Sequence, residues 1–285
     1  MKVVSGRAQR RSRRAVEELT TDGRERVRSL VANASLAVLP TSDAVARVTA
    51  RLAPGNVSVI VAARRGLGVD QTIAVSEMLA SKGYPVTPEV DVGEIRPGRH
   101  FQETVYRLSR SGITRVLVVE PSGHGEPTEH LLAELHDQTG GLRRVGIKVA
   151  TTGPGLDTEQ QAAMLSAWAP RLSFVATETS AEPAGVLSWV REMRVRGLEL
   201  PVEIGLPGVA FLAVLRREVP AVAASLGVRN ADTYDPTRLV VELADDQALE
   251  RLVISGLRLD TCNEVAGTED WRQRIYDLVQ PARSR

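Results

Sequence analysis

Eight times along the chain, a short run rich in Val, Ile, Leu and Ala gives way to a longer segment whose apolar residues recur at helical spacing. Parallel neighbours cannot be joined by a tight turn, so this rhythm describes parallel strands linked by crossover helices. Strands are predicted over residues 35–39, 57–62, 85–92, 115–119, 145–150, 173–177, 201–205 and 252–260. Helices are predicted over 42–52, 71–82, 98–111, 128–138, 158–169, 185–196, 209–226 and 269–278. About eight repeats close such a sheet on itself, so the expected fold is α/β, a single (β/α)8 TIM barrel. An extra N-terminal helix is expected over 12–31, interrupted at Asp22-Gly23, and the Asn-, Asp- and Pro-rich stretch 228–237 reads as a loop over one barrel end.

The 285 residues suit one barrel, a fold of about 250 residues, and show no composition shift that divides them. Lys2, Arg7, Arg10, Arg11, Arg13 and Arg14 crowd the start, so residues 1–14 are expected as a solvated, mobile basic tail and 15–285 as the barrel. A net charge of +1 and an aromatic share of 4% argue against a nucleic-acid partner. The basic start leads into Asp22, Arg24 and Glu25 rather than an apolar core, and no run of about 18 apolar residues follows. Neither a secretory signal nor a membrane span is expected, and the cytoplasm is the default. The single cysteine, Cys262, precludes an internal disulfide, and with four scattered histidines no metal site is expected.

A barrel of this kind carries its ligand site at the carboxyl ends of its strands. The polar residues there are Thr41, Asp43, Arg64, Arg65, Glu89, Asp91, Glu120, Ser122, His124, Thr151, Thr152, Thr177, Glu178, Glu203, Asp260 and Asn263. Six carboxylates, Glu89, Asp91, Glu120, Glu178, Glu203 and Asp260, have two readings. Crowded at one mouth, they raise one another's proton affinity and supply a general acid; otherwise they pair with Arg64, Arg65 or Arg258 or face solvent. The loop from Ser122 to Glu126 is a turn built on Gly123, Gly125 and Pro127, or a site around His124. Thr151-Thr152-Gly153-Pro154-Gly155 is a turn into a helix capped by Asp157 or Thr158, or an anion-binding loop.

The ordered strand ends resemble the methylenetetrahydrofolate reductases, barrel enzymes that reduce a folate with NAD(P)H. Ser35-Leu36-Ala37-Val38-Leu39-Pro40 is similar to that family's S-F-E-F-F-P. Val57-Ser58-Val59, followed by Ala63, Gly66 and Asp70-Gln71-Thr72, is similar to its V-S-V-T-Y-G-A segment and the following D-x-T. Phe174-Val175-Ala176-Thr177-Glu178 stands for F-I-I-T-Q, and Asp260-Thr261-Cys262-Asn263 for Y-T-L-N. The resemblance implies a folate or pterin ligand touched by Glu178, Thr177, Ser122 and Asn263. It places Ala63, Asp70 and Thr72 at the cofactor, with NAD(P)H as electron source, and Thr151 and Thr152 join them as cofactor candidates through the anion-binding reading of their loop.

Several family residues are replaced. Its first-strand catalytic Glu is Ala37, which donates no proton, and its third-strand His is Glu89. Its R-G-D becomes Glu120-Pro121-Ser122, an anion where a flavin phosphate would sit, so FAD, although the family implies it, is disfavoured. The expectation is a divergent oxidoreductase of one-carbon metabolism whose relocated acid is Glu89 or Glu120. Two alternatives stand beside it: an inactive folate-binding barrel acting as a regulator or subunit, and a barrel enzyme with another substrate and a carboxylate acid/base. A homo-oligomer or protein partner is left open.

Overall fold

The computed structural model describes residues 6–280 apart from 65, 121–124, 138–141, 153–155 and 227–232. Its strands are β1 (Ser35–Val38), β2 (Val59–Val61), β3 (Val86–Asp91), β4 (Arg115–Val119), β5 (Arg144–Val149), β6 (Phe174–Thr179), β7 (Val202–Pro207), β8 (Ala210–Phe211), β9 (Thr233–Tyr234) and β10 (Ile254–Asp260). The helices are α1 (Gly6–Glu17), α2 (Thr21–Ala32), α3 (Ala44–Thr49), α4 (Val69–Ser81), α5 (Arg99–Arg110), α6 (Gly125–Asp137), α7 (Thr158–Trp168), α8 (Pro183–Val195), α9 (Leu212–Glu218), α10 (Pro220–Ser225), α11 (Thr237–Asp245) and α12 (Val265–Leu278).

Eight strands close a parallel barrel in the order β1-β10-β7-β6-β5-β4-β3-β2, and β8 and β9 form a separate antiparallel pair. This is the expected (β/α)8 fold. Alternation along each strand sorts its side chains. Leu36, Val38, Val59, Val61, Val116, Val118, Ile147, Ile204, Leu206, Leu257 and Leu259 join the layer between sheet and helices. The other parity fills the barrel, where Leu117, Phe174 and Ala176 form a small apolar cluster of their own.

Three expectations need correction. The N-terminal helix breaks at residues 18–20, ahead of Asp22-Gly23, because the Thr20 hydroxyl accepts from Gly23 N at 3.0 Å and caps α2. The continuous helix over 209–226 is divided: residues 210 and 211 pair with β9, and Pro220, which has no N–H to donate, starts α10 afresh after α9. Helix α11 lies in the long last gap beyond the 228–237 stretch, where no second helix is expected, although Leu239, Val240, Leu243 and Ala244 are buried at helical spacing. Part of the predicted basic tail lies in α1, whose Ser12 hydroxyl donates to Asp235 at 2.9 Å and whose Val16, four residues on, is buried in the core. No helix among the described residues is long and apolar enough to cross a membrane.

Candidate functional site

Glu89 lies on β3 two residues before its end, with inward parity, and is fully buried. Lys148, one residue before the end of β5 and opposite Ala176 of β6, donates to it at 2.7 Å. Arg258 of β10 pairs with its other oxygen, and the Ala63 amide, just past β2, donates at 3.1 Å. Burial pushes the Glu89 carboxyl up, but Lys148 and Arg258 outweigh it and hold the group below the ordinary carboxylate range. It is therefore an anion at neutral pH and has no proton to give, which corrects its expected role as a relocated acid.

One carboxylate thus faces two cations. Arg258 is 3% exposed; one guanidinium nitrogen donates to Thr179 Oγ1 at 3.2 Å, while its Nε has no hydrogen-bond partner among the described residues. The Lys148 side chain keeps 14% of its surface exposed. Taken by itself, the triad of Glu89, Lys148 and Arg258 near the strand ends carries one positive charge in excess. Asp91 and Asp260, one inward position further along β3 and β10, stand at the rim, each with an oxygen accepting from a backbone amide, that of Gly93 or Cys262.

A second charged contact crosses the mouth. Arg64, after β2, pairs with Glu218 at the end of α9, and Arg217 also holds Glu218 at 2.7 Å. Burial raises the Glu218 carboxyl, but its bonds from Arg217 and Arg64 prevail and hold it low. Burial, followed by the Asp260 carboxylate, pushes the Cys262 thiol far up, so it is no thiolate nucleophile.

The remaining predicted residues are dispersed. Glu120 is half-buried just past β4, and Glu178 is exposed. The Thr177 hydroxyl is committed within the sheet, accepting from Gly205 N at 2.8 Å and donating to Glu178 O at 3.1 Å. Asn263 stitches the barrel closure: its Oδ1 accepts from Leu39 N and its Nδ2 donates to Thr41 Oγ1, both at 2.8 Å. Asp70 is exposed on α4 and faces α5, where Arg107 and His100 lie at 3.5 and 3.3 Å. Thr72 is buried in α4; Thr151 is buried after β5, and Thr152 is exposed. Asp157 caps α7 by accepting from Gln160 N at 2.9 Å, but the glycine-bearing loop before it, Ser122, His124 and Arg65 lie outside the described residues.

Glu203 does not join the other carboxylates. It pairs with Arg115 at 2.7 Å near the amino ends of β7 and β4, with Arg115 4.3 Å above the Phe174 ring. Sequence reasoning passed over Lys148 and Glu218. The signal for Lys148 was its parity with Gly146 on a strand whose other residues, Val145, Ile147 and Val149, are apolar. Among the described residues, no group of three or more His, Cys, Asp or Glu side chains is placed to hold a metal ion.

No family model and no curated protein matches the chain. Among solved structures it is similar to an oxaloacetate acetylhydrolase in complex with 3,3-difluorooxalacetate, with a TM-score of 0.52, 13% identity, and coverage of 91% of this chain and 93% of that one. It is similar also to an oxaloacetate acetylhydrolase in complex with the product oxalate, with a TM-score of 0.53, 10% identity, and coverage of 91% and 94%. A third is 2,3-dimethylmalate lyase, a member of the PEP mutase/isocitrate lyase superfamily, with a TM-score of 0.51, 13% identity, and coverage of 97% and 88%. At such identities these likenesses show the shared barrel fold. They overturn the expected membership of the methylenetetrahydrofolate reductases: the neighbours are named oxaloacetate acetylhydrolase and 2,3-dimethylmalate lyase, and no family model supports the reductase resemblance. The NAD(P)H-dependent folate reductase, the oxidoreductase and one-carbon assignments, and the two alternatives that accompanied them are withdrawn.

Proposed function

We propose that this barrel is an enzyme of the lyase or mutase kind that takes a small carboxylate anion at the carboxyl end of its strands. The observation that carries the reading is the floor of the mouth, where Glu89 is shared by Lys148 and Arg258 and where, among the described residues, the buried Arg258 Nε has no hydrogen-bond partner. Excess positive charge away from water attracts an anion, and a guanidinium with a free N–H suits a carboxylate oxygen. The same two cations stabilise negative charge that develops beside a bound carboxylate when a neighbouring C–C bond breaks. The fold likeness to proteins named for oxaloacetate and 2,3-dimethylmalate supports this class of substrate.

The test is calorimetric titration with oxalate, followed by NMR assay of C–C cleavage with oxaloacetate and malate-type acids. Lys148→Met leaves Glu89 and Arg258 as a neutral pair, so it removes the charge excess without stranding a charge. It should weaken oxalate binding at least about tenfold, equivalent to about 1.4 kcal/mol. Equal oxalate affinity in the wild type and Lys148→Met, or no binding to either, removes the basis of the proposal.

A further inference from the structure

Arg64 does not belong to the cationic floor, but it follows directly on it. Its chain neighbour Ala63 donates its amide to Glu89 Oε2 at 3.1 Å, and consecutive Cα atoms are only about 3.8 Å apart. The Arg64 guanidinium is turned to Glu218, a residue of α9 in the excursion between β7 and α11. The Arg64 side chain keeps 38% of its surface, whereas that of Glu218 keeps 8%. Both lie within electrostatic reach of Cys262 at the end of β10, so the contact spans the mouth on the side of β1 and β10.

We propose that Arg64 is a second anion subsite, and that Glu218 is an internal carboxylate which occupies it until a dicarboxylate displaces it. The inference rests on the reading of the floor as a carboxylate site. One carboxylate of the ligand lies on Lys148 and Arg258, and the other takes the place of the Glu218 carboxylate on Arg64. A monocarboxylate gains only the floor and leaves the clasp shut. Glu218 keeps Arg217 when displaced, so its charge is not left unpaired. The exchange of one carboxylate for another at Arg64 makes the clasp a filter for dianions and frees α9 when the site fills.

Titrations of malate and lactate, which differ by one carboxylate-bearing carbon unit, test this on the full chain. Wild-type protein should bind malate about tenfold more tightly than lactate. Arg64→Gln should bring malate down to the lactate level, and Glu218→Gln should tighten malate at least about fivefold while lactate stays unchanged. Circular dichroism melts of both variants confirm that each is folded. Lactate binding that depends on Lys148, with a malate preference indifferent to Arg64 or an affinity indifferent to Glu218, overturns the second subsite and leaves the floor reading standing. Failure of all three acids to bind the wild type overturns both.

Discussion

At the scale of the residue, Glu89 holds the site together. Its carboxylate is paired with both Lys148 and Arg258 inside the barrel, and removing one member of such a buried group leaves the others uncompensated. Glu89→Gln should therefore lower unfolding free energy by about 3–5 kcal/mol in chemical denaturation at neutral pH. The pH dependence has a definite sign. The folded-state pKa of Glu89 lies below the ordinary 4.5, so its contribution is fully present above that value and is lost as pH falls through the depressed folded value. The gap between wild type and variant should hold constant from pH 8 to pH 5 and narrow in more acidic solution. A variant within about 1 kcal/mol of wild type at neutral pH contradicts this account.

At the scale of the element, the irregularity in β6 sets what reaches the mouth. Ala176 is opposite Glu203 on β7, but Thr179 is opposite Gly205, so three steps along β6 match two along β7. This bulge turns Glu178 outward to solvent and brings the Thr179 hydroxyl to Arg258. Gly205 is required there, because a Cβ would stand 2.7 Å from the carbonyl oxygens of both Thr177 and Glu178. Gly205→Ala should cost about 1–3 kcal/mol of stability and weaken oxalate binding together with it, as measured by denaturation and calorimetry. Unaltered binding and stability would show that the bulge does not position Arg258. The bulge also explains the limits of sequence reading. Eight strands were legible because β-branched runs and parity are local signals. Pairings were not: Lys148 and Arg258 lie 59 and 169 residues from Glu89 along the chain, and only the closed barrel brings them together. Glu89 was therefore named from its position while its state was misread. Thr177 drew attention as a strand-end hydroxyl, although its bonds belong to the sheet.

At the scale of the whole molecule, the barrel axis separates two charged groups by an apolar plug. The floor of Glu89, Lys148 and Arg258 lies towards the carboxyl ends of the strands, and Arg115 with Glu203 lies towards the amino ends. Between and beneath them stand Leu117, Phe174 and Ala176, and Phe174 fits so closely that a Cβ on Gly146 would meet its ring at 2.3 Å. Each group therefore makes its contacts apart from the other, and the plug carries stability while the floor carries recognition. Phe174→Ala empties the plug and removes the ring beneath Arg115 and Arg144. The cost should be about 3–5 kcal/mol, the range for loss of a large buried ring. Oxalate affinity, measured at a temperature where the variant stays folded, should remain within about twofold of wild type, a difference of less than about 0.5 kcal/mol. Lys148→Met should show the opposite pattern, with binding lost and the melt little changed. If Phe174→Ala abolishes oxalate binding as fully as Lys148→Met does, the plug and the floor act as one unit, and recognition depends on the packing of the entire barrel interior.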